Sequence, residues 1–477
     1  MSDYVHSLFD QLNTYAQSDF YPFHMPGHKR NVFAETVSPE SIDITEITGF
    51  DDLHHPEGIL KEAQERMAEV FGAKKSFFLV NGSTAGILAA ICACTKKGGR
   101  ILMARNCHKS VYHAALLQEL AIDYLYPDVT EYGIAGSILP EMVSQKLSEA
   151  KTLEVPYQAI VITSPTYDGI VSDITAIADI AHAYHIPLIV DEAHGAHFGF
   201  SDGFPKKAHT LGADIVIESI HKTLPALTQS AALHIADSPY INEARIKQYL
   251  SIFQTSSPSY ILMAGLDQCT QLLQARSSEL FSSFEKKLTA FYEKAASLKN
   301  ISVLYADDVS IFQKDPSKIL ISADKLDITG GELFAILRDN YHLEFEMASL
   351  HYVTALTSVM DTQEGFDRLI HALEEIDQMA FADSKDIISN SNTTSTTPGF
   401  FLHIIQNQKM PIPLYEATSL PYEATSHNVA PGKICADFII PYPPGIPLLV
   451  PGEQITEEHM EQLSQYLREG ITVYGIL

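Results

Sequence analysis

Two short apolar runs, each leading to a residue suited to chemistry, constrain the fold more than any other feature of the sequence. The run Pro187–Val190 ends in Asp191, and the run Ile215–Ile217 leads to Lys222. Such runs are typical of buried parallel strands. Lys222 comes 31 residues after Asp191, and one β-strand, crossover helix and next parallel strand need roughly 30 residues. We therefore predict two neighbouring parallel strands whose carboxyl ends, where open α/β sheets bind ligands, carry Asp191 and Lys222.

Lys222 has the residue type and the position for covalent chemistry. A lysine near apolar surroundings and other cations can lose its proton and form a Schiff base, the chemistry used with pyridoxal phosphate. A carboxylate such as Asp191 beside the pyridine nitrogen keeps that nitrogen protonated, so that the ring accepts electrons. Ser219 and His221 could hold the phosphate. Taken alone, Lys222 also fits a surface lysine after a core strand, and the pairing with Asp191 favours the cofactor site.

Eight short motifs are spread over nearly the whole chain. They are Ser219–Lys222 with Thr228–Ser230, Asp191–Gly195, His24–Lys29, Asp51–Gly58, Asn81–Gly86, Arg105–Ser110, Ser164–Gly169 and Pro441–Pro447. Each string alone is a weak signal, but their order along the chain argues against chance. Together they resemble the bacterial ornithine, lysine and arginine decarboxylases, which use pyridoxal phosphate and share the aspartate aminotransferase fold.

The resemblance implies an α/β protein with an aspartate-aminotransferase-like (fold type I) large domain. That domain has a mostly parallel sheet that binds pyridoxal phosphate, and smaller α+β C-terminal domains follow it. The alternation of apolar strands and amphipathic helices also predicts a doubly wound α/β domain, and two helices, Ile261–Leu273 and Ser277–Leu298, are predicted to carry the chain out of it. We expect an N-terminal arm at residues 1–20, the large domain at 21–275, a small α+β domain at 276–388, a polar linker at 389–399 and a C-terminal domain at 400–477.

The resemblance also implies roles for individual side chains. It places Lys222 on the cofactor aldehyde, Asp191 beside the pyridine nitrogen and His108 stacked on the ring. The other cofactor-binding residues that we expect are Ser83, Thr84, His194, Ser219 and His221. By residue type alone, Ser83 and Thr84 fit a phosphate site at a helix N-terminus or an ordinary cap, and His108 also fits a histidine that is hydrogen-bonded locally.

The reaction that the resemblance implies is a lyase reaction of polyamine biosynthesis. Arginine, lysine or ornithine would be decarboxylated to agmatine, cadaverine or putrescine. The positive end of such a substrate needs a carboxylate, and Glu46, Asp51 and Glu453 are the candidates. One alternative is another reaction on the same fold, by an aminotransferase or another lyase, because the cofactor-binding residues do not determine which Cα bond breaks. A non-catalytic homologue is the other alternative.

Charge and cysteine usage limit the partners and the compartment. Lysine and arginine number 32 against 59 acidic residues, a net charge of −27, which argues against nucleic acid. An acidic field suits a basic amino acid, although it also serves solubility. Five cysteines without a pairing pattern, and no N-terminal basic segment followed by an apolar one, predict a reduced, cytoplasmic protein. No apolar run is long enough to span a membrane.

Two histidine groups have metal-like spacing, but we expect no metal. His24 and His28 lack the scaffold that zinc ligands need, and Asp191, which stands near His194 and His197, has a better use. The resemblance further implies a homodimer with shared active sites, in which the N-terminal arm packs on the partner. No extra domain precedes that arm, which puts the family's ring assemblies in doubt and leaves a higher homo-oligomer as the alternative. Pro225 also departs from the family, where small residues usually follow the lysine.

Overall fold

The first elements of the chain are a short helix and a short strand, α1 (Leu8–Ala16) and β1 (Tyr21–Phe23). The structure is a computed structural model that describes residues 7–31, 38–130, 132–150, 154–304, 310–378, 408–419, 430–442, 445–468 and 472–475. Ser7 caps α1 by accepting the Asp10 N–H. None of the α1 side chains is buried, so the helix is an arm that its own chain leaves exposed.

A seven-stranded sheet forms the centre of the large domain. In chain order its strands are β2 (Lys75–Leu79), β3 (Arg100–Ala104), β4 (Ala121–Leu125), β5 (Tyr157–Thr163), β7 (Leu188–Asp191), β8 (Ile215–Glu218) and β9 (Ala231–Ile235), while β6 (Ile170–Val171) lies outside it. The order across the sheet is β2-β9-β8-β7-β5-β3-β4. From β8 to β4 all neighbours are parallel, and β9 is antiparallel to both β8 and β2. The prediction of a mostly parallel sheet is confirmed.

The register of the sheet brings the chemically interesting strand ends to one edge. β7 and β8 are neighbours, with Asp191 opposite Ile217, and Thr163 of β5 stands on the other side of Asp191. Because β2 is antiparallel to β9 and β9 is antiparallel to β8, β2 runs in the same direction as β8. The carboxyl ends of β2, β3, β5, β7 and β8 therefore open on the same edge.

Helices cover both faces of this sheet. They are α2 (Ile59–Phe71), α3 (Gly82–Cys94), α4 (Lys109–Leu117), α5 (Pro140–Glu149), α6 (Ile174–Ala183), the one-turn α7 (Ile220–Thr223) and α8 (Glu243–Phe253). Helix α3 lies flat on the strands, since a Cβ on Gly86 would stand 2.5 Å from a Leu79 methyl group. Because α3 begins at Gly82, just after β2 ends at Leu79, its N-terminus lies at the edge where the strands end.

A single 36-residue helix, α9 (Tyr260–Ala295), connects the large and small domains. The expectation of two helices, Ile261–Leu273 and Ser277–Leu298, is wrong on this point. The residues Gln274–Arg276 between them are good helix formers, and buried apolar residues continue on both sides. The helix therefore has no physical reason to break there.

The small domain has a four-stranded antiparallel sheet and two long helices. Its elements are β10 (Ser302–Val303), β11 (Gln313–Lys314), β12 (Lys318–Ser322), α10 (Gly330–Tyr341), β13 (Leu343–Phe345), β14 (Met347–Ala348), β15 (Val353–Leu356) and α11 (Gln363–Asp377). The sheet order is β10-β12-β15-β14, while β11 pairs with β6. Strand β13 pairs in parallel with β1, so residues 21–23, which we expected in the large domain, pair with the small one.

The C-terminal module contains α12 (Leu414–Ala417), β16 (Ile440–Tyr442), α13 (Glu457–Arg468) and β17 (Thr472–Tyr474). It has an apolar cluster of its own, including Ile455 and Leu463, while Leu414 and Val450 join the core of the large domain. The predicted linker at 389–399 lies outside the described residues. Within the described part of the chain, no helix is long and apolar enough to cross a membrane, and all five cysteines are free thiols.

Candidate active site

Lys222 lies in the one-turn helix α7, directly after β8. Its Nζ is 2.8 Å from His194 Nε2. Burial lowers the pKa of Lys222, and the carboxylates of Asp191 and Glu346 only partly offset that effect. A lysine with a lowered pKa is closer to the neutral amine, which is the nucleophilic form. The sequence prediction of a reactive lysine at this strand end is thus consistent with its surroundings.

Asp191 is the last residue of β7 and is 3% exposed. Its Oδ1 accepts the Ala193 N–H at 3.2 Å, while Oδ2 has no hydrogen-bond partner among the described residues. Burial raises the pKa of Asp191, and the charge of Lys222 partly offsets this. A buried carboxylate with an open oxygen is stabilised by a cationic partner, so Asp191 suits a protonated ring nitrogen.

His194 is buried beside Lys222. Its ring packs edge-on against Tyr167, with centroids 4.7 Å apart. Burial and the charges of Lys222 and Lys318 lower the pKa of His194 well below its usual value, so the ring is neutral. Its Nδ1 is buried without a hydrogen-bond partner among the described residues, which leaves one polar atom of this ring available to a ligand.

His108 follows β3 and caps helix α4. Its Nδ1 accepts the Ser110 N–H at 3.3 Å and lies 2.9 Å from Ser110 Oγ. Burial and the nearby charge of Lys222 lower the pKa of His108 to about 3. These local hydrogen bonds are compatible with the expected stacking of His108 on the cofactor ring, because they hold a flat, neutral imidazole at the edge where β3 ends.

Ser219 and His221 flank the start of α7. Ser219 is fully buried, and its Oγ has no partner among the described residues. His221 donates from Nδ1 to the Ser230 carbonyl at 2.8 Å, and burial lowers the pKa of His221 to about 4 despite that bond. The unpaired hydroxyl of Ser219 is therefore a free donor at the strand edge, while His221 has one nitrogen committed to the backbone.

Ser83 and Thr84 lie in the first turn of α3. The side chain of Asn81 precedes this helix and does not cap it. Ser83 is half-buried, Thr84 is exposed, and neither hydroxyl is hydrogen-bonded to the described residues. Uncapped N–H groups at a helix N-terminus attract anions, so this turn fits a phosphate group as the sequence predicts.

The segment His24–Lys29 packs directly on α7. The Gly27 N–H donates to the His221 carbonyl at 2.7 Å. A Cβ on Gly27 would stand 2.7 Å from the backbone N and O of Leu224, so only glycine fits this approach. The buried Lys29 donates to the carbonyls of His24 and Leu356.

Within the described ranges, no group of His, Cys, Asp and Glu side chains could hold a metal ion.

Glu346 is a site residue that the sequence reasoning missed. It lies between β13 and β14 in the small domain, and its carboxylate accepts hydrogen bonds from Tyr167 Oη and from the Met25 N–H. Its charge acts on Lys222. The available signal was the alternation of apolar and acidic residues in Leu343–Met347, which did not indicate that this strand meets the large domain.

The three acidic residues expected to bind the substrate have other surroundings. Asp51 accepts the N–H groups of Glu57, Gly58 and Leu60 before α2, and these bonds, against the effect of burial, lower the pKa of Asp51. Glu46 is exposed, and Glu453 is enclosed. None of the three contacts Lys222 within the described part of this chain.

A serine, a histidine and an aspartate meet where the large domain touches the small one. Ser317 Oγ and Asp315 Oδ1 lie 3.2 and 3.1 Å from the same atom, His197 Nε2. A hydrolytic triad needs the serine and the aspartate on opposite ring nitrogens. All three residues are also buried, so the group is a structural junction rather than a second catalytic centre.

The polar groups around Lys222 fit pyridoxal phosphate. An amine of lowered pKa suits the aldehyde, the open oxygen of Asp191 suits the pyridine nitrogen, and the flat ring of His108 suits the ring face. The unpaired Ser219 hydroxyl and the uncapped turn of α3 suit the phosphate. No arginine in the described ranges contacts Lys222, His194 or Asp191.

Comparisons with known proteins find relatives along the whole chain. Residues 6–315 match the family model described as "Orn/Lys/Arg decarboxylase, major domain", and residues 420–472 match "Orn/Lys/Arg decarboxylase, C-terminal domain". The uncharacterized protein YaaO of Bacillus subtilis (strain 168) is 35% identical over 98% of this chain and 95% of its own length. An arginine decarboxylase of the same organism is 31% identical over 100% of this chain and 96% of its own length.

Solved structures support the same fold. The crystal structure of the Francisella novicida lysine decarboxylase LdcF matches with a TM-score of 0.75 at 20% identity, covering 99% of this chain and 79% of that chain. Identity at this level shows the fold alone. The large domain is therefore a fold type I domain, as the resemblance implied.

Proposed function

Because this chain belongs to the Orn/Lys/Arg decarboxylase family, we propose that it decarboxylates a basic amino acid with pyridoxal phosphate as its cofactor. The observation that carries the proposal is the position and state of Lys222. It lies at the strand edge beside Asp191, its pKa is lowered, and its Nζ is 2.8 Å from His194 Nε2. Arginine is the first candidate, because a relative that covers the whole chain is named for it. Lysine and ornithine are the alternatives, and the products are agmatine, cadaverine or putrescine.

The residues of this chain have separate roles in the proposed reaction. The bound cofactor supplies an aldehyde for attachment and a protonated ring that accepts the electrons of the broken Cα bond. Lys222 Nζ provides the attachment point, and Asp191 keeps a proton on the ring nitrogen. His108 covers one face of the ring without adding charge. The groups that hold the phosphate and orient Lys222 are Ser83, Thr84, Ser219, His221 and His194.

A proton must reach Cα after carbon dioxide leaves. The lowered pKa values of His108 and His194 keep both imidazoles neutral, which makes them poor acids. Lys222 Nζ in its ammonium form carries a transferable proton at the same edge of the sheet, and the carboxylates of Asp191 and Glu346 favour that form against the effect of burial. We therefore assign the proton transfer to Lys222, with the His194 Nε2 contact holding its amine in place.

We assign the positive end of the substrate to Glu346. Besides Asp191, it is the carboxylate in the described part of the chain whose charge acts on Lys222. Its two oxygens are oriented by the Met25 N–H and Tyr167 Oη, and each carboxylate oxygen can accept a further hydrogen bond. Glu46 and Asp51 remain candidates if they reach the site of a partner subunit.

A homodimer with shared active sites is the proposed assembly. Exposed apolar residues flank Glu46 and Asp51, and others lie on the outer face of α1: Ile42, Ile47, Phe50, Leu8, Phe9 and Leu12. Burying such side chains in a second copy is favourable, and a higher homo-oligomer would leave the pairwise contact unchanged. A sedimentation measurement that finds an active monomer would contradict this assembly. The free thiols of all five cysteines support a reducing, cytoplasmic location.

The function is tested with three amino acids. The purified protein is incubated with pyridoxal phosphate and with arginine, lysine or ornithine, and carbon dioxide and amine are measured together. We expect equal amounts of both products from one substrate. Formation of a keto acid would instead favour an aminotransferase, and cofactor binding without turnover on any of the three would favour a non-catalytic homologue.

A further inference from the structure

Arg105 and Glu453 form an enclosed ion pair between the large domain and the C-terminal module. Arg105 Nη2 lies 3.1 Å from Glu453 Oε2, and both side chains are 0% exposed. Burial disfavours the charge on Arg105, but Glu453, with smaller effects from Tyr112, Tyr124 and Tyr126, raises the pKa of Arg105. The Val450 N–H also donates to Glu453 at 2.9 Å. The carboxylate is thus fixed from its own module and directed at the large domain.

The guanidinium of Arg105 makes further contacts with the same module. Nη1 donates to the Pro447 carbonyl at 2.9 Å, and Nη2 donates to the Leu448 carbonyl at 3.1 Å. On the large-domain side, Nη1 donates to Tyr112 Oη, which in turn donates to the Arg105 carbonyl at 2.6 Å. Arg105 therefore joins the module to helix α4 and to the end of β3.

The module holds the His108 loop at a second point. The Lys109 N–H donates to the Gly445 carbonyl at 3.2 Å. His108 lies between Arg105 and Lys109, so the short loop that carries its ring is attached to the C-terminal module before and after that ring. Leu414 and Val450 already join the module to the large domain through apolar contacts. A buried ion pair is weak evidence for stability, so holding the module in place is not the role that the Arg105–Glu453 pair indicates.

We propose that Glu453 and Arg105 are positioning residues, through which the C-terminal module sets the orientation of His108 against the cofactor ring. This inference rests on the proposed role of His108. It gives Glu453 a different task from contact with the substrate tail. The directed, hydrogen-bonded geometry of the pair determines where the loop stands, which an apolar contact of the same size does not do.

The test is a double-mutant cycle on cofactor binding. Pyridoxal phosphate is titrated into the apo forms of the wild type, Glu453→Gln, His108→Ala and the double variant, following the dissociation constant and the visible circular dichroism of the bound cofactor. We expect Glu453→Gln to weaken binding about three- to tenfold and to reduce the dichroic signal. In the His108→Ala background it should have no further effect, because its route to the ring is gone.

A matched control separates positioning from stability. Leu463→Ala removes a buried side chain from the module's own cluster and should lower thermal stability while leaving the dichroic signal intact. If Glu453→Gln does not fold, the double variant Arg105→Gln/Glu453→Gln takes the place of Glu453→Gln in the same cycle, because it leaves no unpaired charge.

Each outcome of the cycle bears on a different statement. Equal effects of Glu453→Gln with and without His108 would overturn the positioning role. A His108→Ala variant with unchanged binding and dichroism would overturn the role of His108, and this inference with it. A wild-type protein that does not bind pyridoxal phosphate would overturn the proposed function itself.

Discussion

Lys222 Nζ lies 2.8 Å from His194 Nε2, and both groups have pKa values shifted toward their neutral forms. His194 lies in the turn after β7, and Lys222 lies in the one-turn helix α7 after the neighbouring parallel strand β8. Neutral histidine accepts a hydrogen bond from the amine without competing as an acid. The contact therefore holds the amine at the edge of the sheet where the proposed cofactor is attached.

Replacing Lys222 tests the attachment point. We expect Lys222→Ala to abolish the visible absorbance of the bound cofactor and to lower turnover by more than about 1000-fold. Lys96→Ala, at a lysine after the end of α3, is the control and should retain both. Absorbance spectra and amine release are the measurements, and normal turnover by Lys222→Ala would contradict the assignment.

Replacing Glu346 tests the substrate contact. Glu346→Gln removes a charge from a hydrogen bond to a cation, which should raise KM for the basic substrate about tenfold or more. Since Glu346 raises the pKa of Lys222 and Lys222 is assigned as the proton donor, the variant should also shift the alkaline limb of the pH profile to lower pH. Glu344→Gln is the control, because Glu344 pairs with Arg338 at 3.0 Å. An unchanged KM would remove Glu346 from the substrate site.

A buried carboxyl group next to Asp191 predicts how stability depends on pH. Burial and the charge of Glu218 raise the pKa of Glu192 well above its usual value, although Lys207 and the Ala208 N–H oppose this. At a pH between the two pKa values, Glu192 is therefore protonated in the folded protein and ionised in the unfolded chain. The contribution of Glu192 to the free energy of unfolding is present at acid pH and is lost as the pH rises through its raised pKa.

Glu192→Gln mimics the protonated form and should remove this dependence. We expect the melting temperature of the wild type to fall relative to that of Glu192→Gln as the pH rises above the usual pKa of a glutamate. The exposed Glu65→Gln variant is the control and should follow the wild type. Parallel curves for wild type and Glu192→Gln would show that Glu192 is ionised in the folded protein.

Gly27 tests the contact between the N-terminal segment and α7. A side chain there meets the Leu224 backbone at 2.7 Å, so Gly27→Ala should displace α7 and with it Lys222. A shift of this kind can cost about 100-fold in kcat. Gly265→Ala in α9, whose Cβ would make only an ordinary 3.6 Å contact with the Leu227 side chain, is the control. Equal kcat values for the two variants would contradict the displacement.

The sequence by itself determined the elements whose signals are local. Apolar runs and crossover length predicted two neighbouring parallel strands, β7 and β8, with Asp191 and Lys222 at their carboxyl ends. These features depend on side-chain period and on short chain connections, which a sequence displays directly. The order of the short motifs, which the sequence also displays directly, indicated the family.

Only the tertiary structure decided which distant residues meet. Glu346 reaches the site because β1 pairs with β13, and Glu453 faces Arg105 although 348 residues separate them. Strand ends and loops carry no periodic signal for such partners, since their contacts depend on how domains pack and on the free energy of closing long loops. The surroundings of Glu453 were decided at that level as well, because its burial and its ion pair with Arg105 determine what this carboxylate can bind.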